Sequence, residues 1–122
     1  MIKLVIRGSL PDLNDHIKAL SASRYKGGRL KKNTDEAIMW QLKCQLAGVK
    51  IKPPIRMHYL WVEPNMKRDL DNIVFARKYI QDALVKLGAL ANDGWAYISG
   101  FSDEFAVDSK NPRIEITIEE AQ

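Results

Sequence analysis

A chain of 122 residues, 46% apolar and 28% charged, is long enough for one domain built on a hydrophobic core, with the composition of an ordinary soluble globular protein. Its single cysteine, Cys44, excludes an intramolecular disulfide and cannot make a zinc site alone, and no apolar run approaches the ~20 residues needed to span a bilayer. The net charge of +4 hides an asymmetry: residues 1–56 carry 12 Lys and Arg against 4 Asp and Glu, whereas residues 57–122 carry 7 against 11. A basic half beside an acidic half suits a polyanion-binding surface next to a metal site. No secretory signal precedes Leu4, so the expected location is the cytoplasm.

In chain order, Ile2, Leu4 and Ile6 alternate with Lys3 and Val5 and predict a first strand, broken at Gly8-Ser9-Leu10-Pro11. A short helix is expected over Asp12 to Leu20, with Leu13, Ile17 and Leu20 on one side and His16 as a satisfied or surface residue. Ser21 to Asn33 reads as the most loop-like stretch, with Arg24, Lys26, Arg29, Lys31 and Lys32 around Gly27-Gly28. It is either a solvated loop or an arm that tracks phosphates, since clustered cations supply most non-specific DNA affinity through counterion release. Tyr25 is placed to pack or to stack.

Thr34-Asp35-Glu36 opens a second predicted helix to about Ala47, ended by Gly48, with Ile38, Leu42 and Leu46 on its buried face. Trp40 and Cys44 form a second apolar stripe, read as core or as a subunit contact, and the thiol is expected to be packed. Pro53-Pro54 precedes a strand from Ile55 to Val62, with Ile55, Met57, Tyr59 and Trp61 on one face and Arg56, His58, Leu60 and Val62 on the other. Trp95 to Val107 suggests a strand or bent hairpin around Gly100, and Ile114, Ile116 and Ile118 a final strand. The order is β-α-α-β-α-β-β: a single compact α/β (α+β-like) domain over residues 1–122, a mixed sheet with packed helices.

Between the second and third strands lies Lys67-Arg68-Asp69-Leu70-Asp71-Asn72-Ile73, opening a helix that ends near Gly88, with Ile73, Ile80, Leu84 and Leu87 on one stripe. Asp69 and Asp71 are either an N-cap and a first-turn acid or hard oxygen ligands for a divalent cation. Asn92-Asp93-Gly94 supplies a third carboxylate on a tight turn. An EF-hand loop with Gly94 at its sixth position would run from Ala89 to Gly100 with no acid at either end, which excludes a calcium sensor of that type.

The run Arg68-Asp69-Leu70-Asp71-Asn72, then Lys78-Tyr79-Ile80-Gln81-Asp82-Ala83-Leu84, then Gly88 and Asn92-Asp93, resembles the RusA family of Holliday junction resolvases. Two departures stand out: three extra residues precede the lysine, and Asn92 replaces the first acid of a downstream acidic pair. The resemblance implies a homodimeric endonuclease that resolves four-way DNA junctions by paired nicks, in recombination, repair or phage DNA processing. It also implies a Mg²⁺ ion, with Mn²⁺ able to substitute, held by Asp69, Asp71 and Asp93. Lys78 would stabilise charge on the phosphate, and seven residues past Asp71 it falls two turns along the same helical face. Its plainer role is as an i,i+4 partner of Asp82. Lys67 and Arg68 would contact phosphate beside the metal, or lie on solvated surface. Trp95 would wedge at the junction or pack. Asp103, Glu104 and Asp108 have no evident task. The rival readings are a non-catalytic DNA-binding protein whose aspartates only cap a helix, and a metal nuclease without junction preference.

Overall fold

Period-two alternation builds the sheet. Four strands, β1 (Ile2–Arg7), β2 (Ile55–Glu63), β3 (Ile98–Val107) and β4 (Arg113–Glu120), carry the alternating segments. In this computed structural model, which describes residues 1–121, they form one sheet in the order β1-β4-β2-β3. The β2–β3 pair is parallel and the other pairs are antiparallel, so the sheet is mixed, as expected. Register sets the core: Ile2, Leu4 and Ile6 face Ile118, Ile116 and Ile114, which face Met57, Tyr59 and Trp61 across the next pair. A one-residue slip would turn all of these side chains out to water.

Four helices complete the fold: α1 (Leu13–Ala22), α2 (Arg24–Leu46), α3 (Leu70–Val74) and α4 (Arg77–Lys86). Ile38, Leu42 and Leu46 of α2 and Ile80, Ala83 and Leu84 of α4 join the inward-facing strand residues in one buried cluster. Two glutamines of α2 satisfy the β1 edge. Gln45 accepts from the Val5 N–H and donates to the Val5 carbonyl, both at 2.8 Å, and Gln41 accepts from the Arg7 N–H at 2.7 Å. These contacts occupy part of the ladder that the β1 edge would otherwise offer to another chain.

The structure corrects several expectations. The stretch from Arg24 to Asn33 is not a loop but the first half of α2, a helix of 23 residues. Its start is capped by Ser23, whose Oγ accepts from the Lys26 N–H at 3.0 Å, instead of opening at Thr34. Gly27 serves close packing instead of flexibility, because a Cβ there would lie 2.3 Å from Leu20 Cδ2 of α1. The second α2 stripe is not core: Trp40 is 78% exposed and the Cys44 thiol is exposed, because α2 buries only the face bearing Ile38, Leu42 and Leu46.

The α1 stripe is likewise only partly covered, with Ile17 and Leu20 about half exposed. Lastly, the expected aspartate helix is two helices separated by a turn at Phe75-Ala76, so the order becomes β-α-α-β-α-α-β-β. At the break, the Phe75 ring packs 5.3 Å from His16 and 5.9 Å, edge-on, from Tyr79. It ties the α3–α4 junction to α1.

Candidate active site

The segment that leads to the aspartates is anchored by Arg68. Its Nε and Nη2 donate to the two carboxylate oxygens of Glu63 at 2.9 and 3.1 Å, and its Nη1 donates to the Leu10 carbonyl at 2.9 Å. Asp12, the N-cap of α1, lies 3.5 Å away. Burial alone would lower the pKa of this guanidinium, but the hydrogen bonds and charge of Glu63 outweigh it and hold the pKa above the ordinary value. Arg68 therefore clamps the end of β2 to the loop after β1. The next residue, Asp69, starts from a fixed backbone.

Asp69 stands at the N-cap of α3, yet its side chain makes no capping hydrogen bond. Asp71, in the first turn, accepts only from its neighbour's Asn72 N–H, at 3.0 Å. Both are exposed, and among the described residues no cation lies within salt-bridge distance of either. The helix-capping explanation of Asp69 thus fails for its carboxylate.

Helix α4 ends as its sequence dictates. Gly88, at φ 76°, donates to the Val85 carbonyl at 3.0 Å, and the Ala89 N–H donates to the Leu84 carbonyl at 3.1 Å, a Schellman closure. The chain then turns through Asn92, whose side chain accepts from the Asp93 N–H at 2.7 Å. This turn returns Asp93 to the first turn of α4, where its Oδ2 is 3.7 Å from the Lys78 ammonium. Lys78 also donates to Asp82 Oδ1 at 3.1 Å. The hydrogen bond to Asp82 raises the Lys78 pKa; burial opposes this weakly, and the charges of Asp82 and Asp93 add to it. Arg77 points elsewhere, donating to Asp103 Oδ2 at 2.8 Å with its guanidinium 4.9 Å above the Phe101 ring.

Behind Lys78 is a charge cluster. Lys31 of α2 lies 2.9 Å from both Asp82 Oδ2 and Asp35 Oδ2, and Lys86 also pairs with Asp35. Burial would lower the Lys31 pKa and raise that of Asp82. The hydrogen bonds between them and to their other partners prevail, so Lys31 stands above the usual lysine value and Asp82 below the usual carboxylate value.

The helical form of α2 sorts the basic residues. Arg24, Arg29 and Lys32 line an exposed groove with Tyr25, Gly28 and Asn33, and Lys26 is exposed nearby. Lys31 instead turns to the face of Ile38 and Leu42. Lys67 is exposed, and Trp95 is entirely so, which rules out the packed-indole expectation. Lys31 and Arg68, both expected on phosphate, are each held by two carboxylates.

A scan against protein families finds the model described as "Endodeoxyribonuclease RusA" over residues 13–119. The chain belongs to the RusA family. Among curated proteins there is no match. The RusA match spans α1 to β4 and carries with it endodeoxyribonuclease activity of the Holliday-junction-resolving kind on branched DNA.

Within this RusA chain, sequence reasoning missed Asp35, Glu63 and Asp103. The Lys31–Asp35 spacing of four was visible, but a loop assignment at Lys31 hid it. Asp103 had no local signal: it accepts from Trp61 Nε1 at 2.8 Å and from Arg77, partners far away in the chain. No group of three or more His, Cys, Asp or Glu converges in a metal cage among the described residues. The exposed carboxylates of Asp69 and Asp71, which no cation claims, are nonetheless hard oxygen donors of the kind a divalent cation takes. No helix among the described residues is long and apolar enough to cross a membrane.

Proposed function

We propose that this RusA protein is a Mg²⁺-dependent resolvase that nicks four-way DNA junctions in pairs, with residues 1–122 acting as one nuclease domain. The observation that carries the reading is the Lys78–Asp93 approach at 3.7 Å. It joins two of the four residues expected to do the chemistry across 15 positions of chain, and the other two, Asp69 and Asp71, carry carboxylates free of cations. Asp69, Asp71 and Asp93 would hold the ion, with Mn²⁺ able to replace it. When bound, the ion supplies Lewis-acid chemistry, drawing charge from the scissile phosphate and making a water more acidic.

The protein's own groups do the rest. Lys78, kept protonated by Asp82, donates to a phosphate oxygen where negative charge develops. Arg24, Arg29 and Lys32, with Lys26 and Lys67, track the flanking phosphates, and their exposure leaves them free to release counterions on binding. Arg68 acts on the site from behind, by fixing the backbone that presents Asp69. Paired nicks need two such sites, and we read the protein as a homodimer acting in the cytoplasm, in recombination, repair or phage DNA processing.

Incubation with a mobile four-way junction and a matched linear duplex, each with Mg²⁺ and with EDTA, tests the reading. Symmetric nicks in the junction alone, and only with the metal, are expected. Equal cutting of the duplex would leave a nuclease without junction preference, and binding without cutting in Mg²⁺ or Mn²⁺ would leave a DNA-binding protein. Light scattering in solution should return the mass of two chains.

A further inference from the structure

Lys78 poses a positioning problem. It lies in the first turn of a ten-residue helix, its side chain is 61% exposed, and a four-carbon stem leaves an ammonium mobile unless something holds it. Its one close anchor is Asp82. An i,i+4 pair on a solvated helix face is weak by itself, because water screens it and both side chains lose freedom in forming it.

This pair differs because its carboxylate is held from the other side. Asp82 gives Oδ1 to Lys78 at 3.1 Å and Oδ2 to Lys31 at 2.9 Å, and Lys31 comes from a different helix. Lys31 is fixed in its turn by Asp35 at 2.9 Å and by the Tyr79 ring, 5.7 Å below its ammonium. Asp35 is only 2% exposed and takes Lys86 as well. Charges thus alternate from Asp35, buried in α2, through Lys31, Asp82 and Lys78 to Asp93. A phosphate taking Lys31 out of this series would leave Asp82 with one cation and strip the buried Asp35 of another. Lys31 is therefore poorly suited to contact DNA.

We propose that Lys31 is a positioning residue for the cleavage reaction: by gripping Asp82 from the α2 side, it fixes Lys78 beside Asp93 and so ties the basic helix to the reacting phosphate. The proposal rests on the reading of Lys78 as the group that meets the phosphate, and goes beyond it in naming what holds that group.

The test uses Lys31→Met, which keeps the length of the stem and removes the charge. In the metal-free protein, ¹H–¹⁵N spectra of the lysine ammonium groups should show Lys78 more mobile than in wild type. On a junction with Mg²⁺ at saturating protein, the single-turnover rate should fall by about 10- to 100-fold, the scale of a small misplacement of a reacting group. Junction affinity and its salt dependence should not change, and Lys31→Arg should recover most of the rate. Asp82→Asn should reproduce the fall, and the double variant should be no slower than either single one, since both act through one contact. An unchanged rate with unchanged Lys78 mobility overturns the proposal, as does a loss that appears only as weaker binding with a shallower salt slope, the mark of a phosphate contact. Should Lys31→Met melt below the assay temperature, Asp82→Asn decides alone, and full-rate cutting by it overturns the proposal. If wild type cuts with no divalent metal present or added, or not at all, the reading as a metal-dependent nuclease fails separately and the ammonium spectra still decide whether Lys31 positions Lys78.

Discussion

Two sets of carboxylates in this chain are treated in opposite ways. Asp35 and Asp82 are each held by two lysines, and Asp35 is nearly inaccessible. Asp69 and Asp71, on the turn that follows β2, are exposed and meet no cation. The physics differs accordingly. A buried carboxylate is tolerable only when it is paired and hydrogen-bonded, so its partners are part of the fold. A carboxylate in water costs nothing to leave unpaired, and a hard cation can claim it without first displacing an ammonium. Asp93 lies between the two sets, with Lys78 within reach but at 3.7 Å rather than in tight contact. The paired acids belong to the fold, and the free ones stay open to a ligand.

The sharpest way to break this contrast is at the free set. Asp71→Asn should cut the cleavage rate by about 10³-fold or more, the scale of losing a principal charge contact in the transition state. Junction binding should persist or tighten as negative charge near the DNA is removed; it is read by gel shift beside a nicking assay. Because Asp71 has no cationic partner, the melting temperature should hardly move. Full Mg²⁺-dependent cleavage by this variant would sink the proposed metal site.

At the junction of the two sets, Lys78→Ala should slow cleavage by about 10- to 1,000-fold with little change in affinity. Arg77→Ala is the control: its guanidinium faces Asp103 and Phe101, so the cleavage rate should stay near wild type while thermal stability falls. Reversal of the two outcomes would move the catalytic cation by one residue.

A smaller effect is expected on the outer face of α2. Changing Arg24, Arg29 and Lys32 together to Gln should weaken junction binding and flatten the log–log salt dependence by roughly 2 to 3, since each lost phosphate contact removes about 0.7–0.9. An unaltered slope would take that groove off the DNA.

The smallest concerns the two glycines that mimic a loop. A Cβ at Gly28 meets nothing within 4 Å, so Gly28→Ala should raise stability by about 0.5–1 kcal/mol in a denaturant titration, by relieving the entropy cost of a glycine inside a helix. Gly27→Ala should be less stable than Gly28→Ala, because Leu20 must move out of the way.

These contrasts also mark what was legible in the sequence. Strands were readable because alternation at period two is local, and Ile2 to Ile6, Ile55 to Val62 and Ile114 to Ile118 fell where expected. The end of α4 at Gly88 and of α2 at Gly48 followed from glycine's access to positive φ. The spaced aspartates, Lys78 and the Asp-Ala-Leu run sufficed to indicate the RusA family. The α2 assignment failed because glycine and cation content mark loops only on average. Here the close approach of α1 at Gly27 overrides intrinsic propensity.

What the sequence by itself determined, then, is the alternating strands, the glycine-marked helix ends and the family, since each is written in spacing over a short stretch of chain. Only the tertiary structure decided which charges are spoken for. Lys31 meets Asp82 across 51 positions, Arg77 meets Asp103 across 26 and Arg68 meets Leu10 across 58, and these contacts exist because sheet order and helix packing bring distant segments together. Coulomb energy depends on separation in space and on burial, neither of which is local in sequence. A lysine that reads as a DNA contact in one dimension can therefore become, in three, a residue that supports the active site.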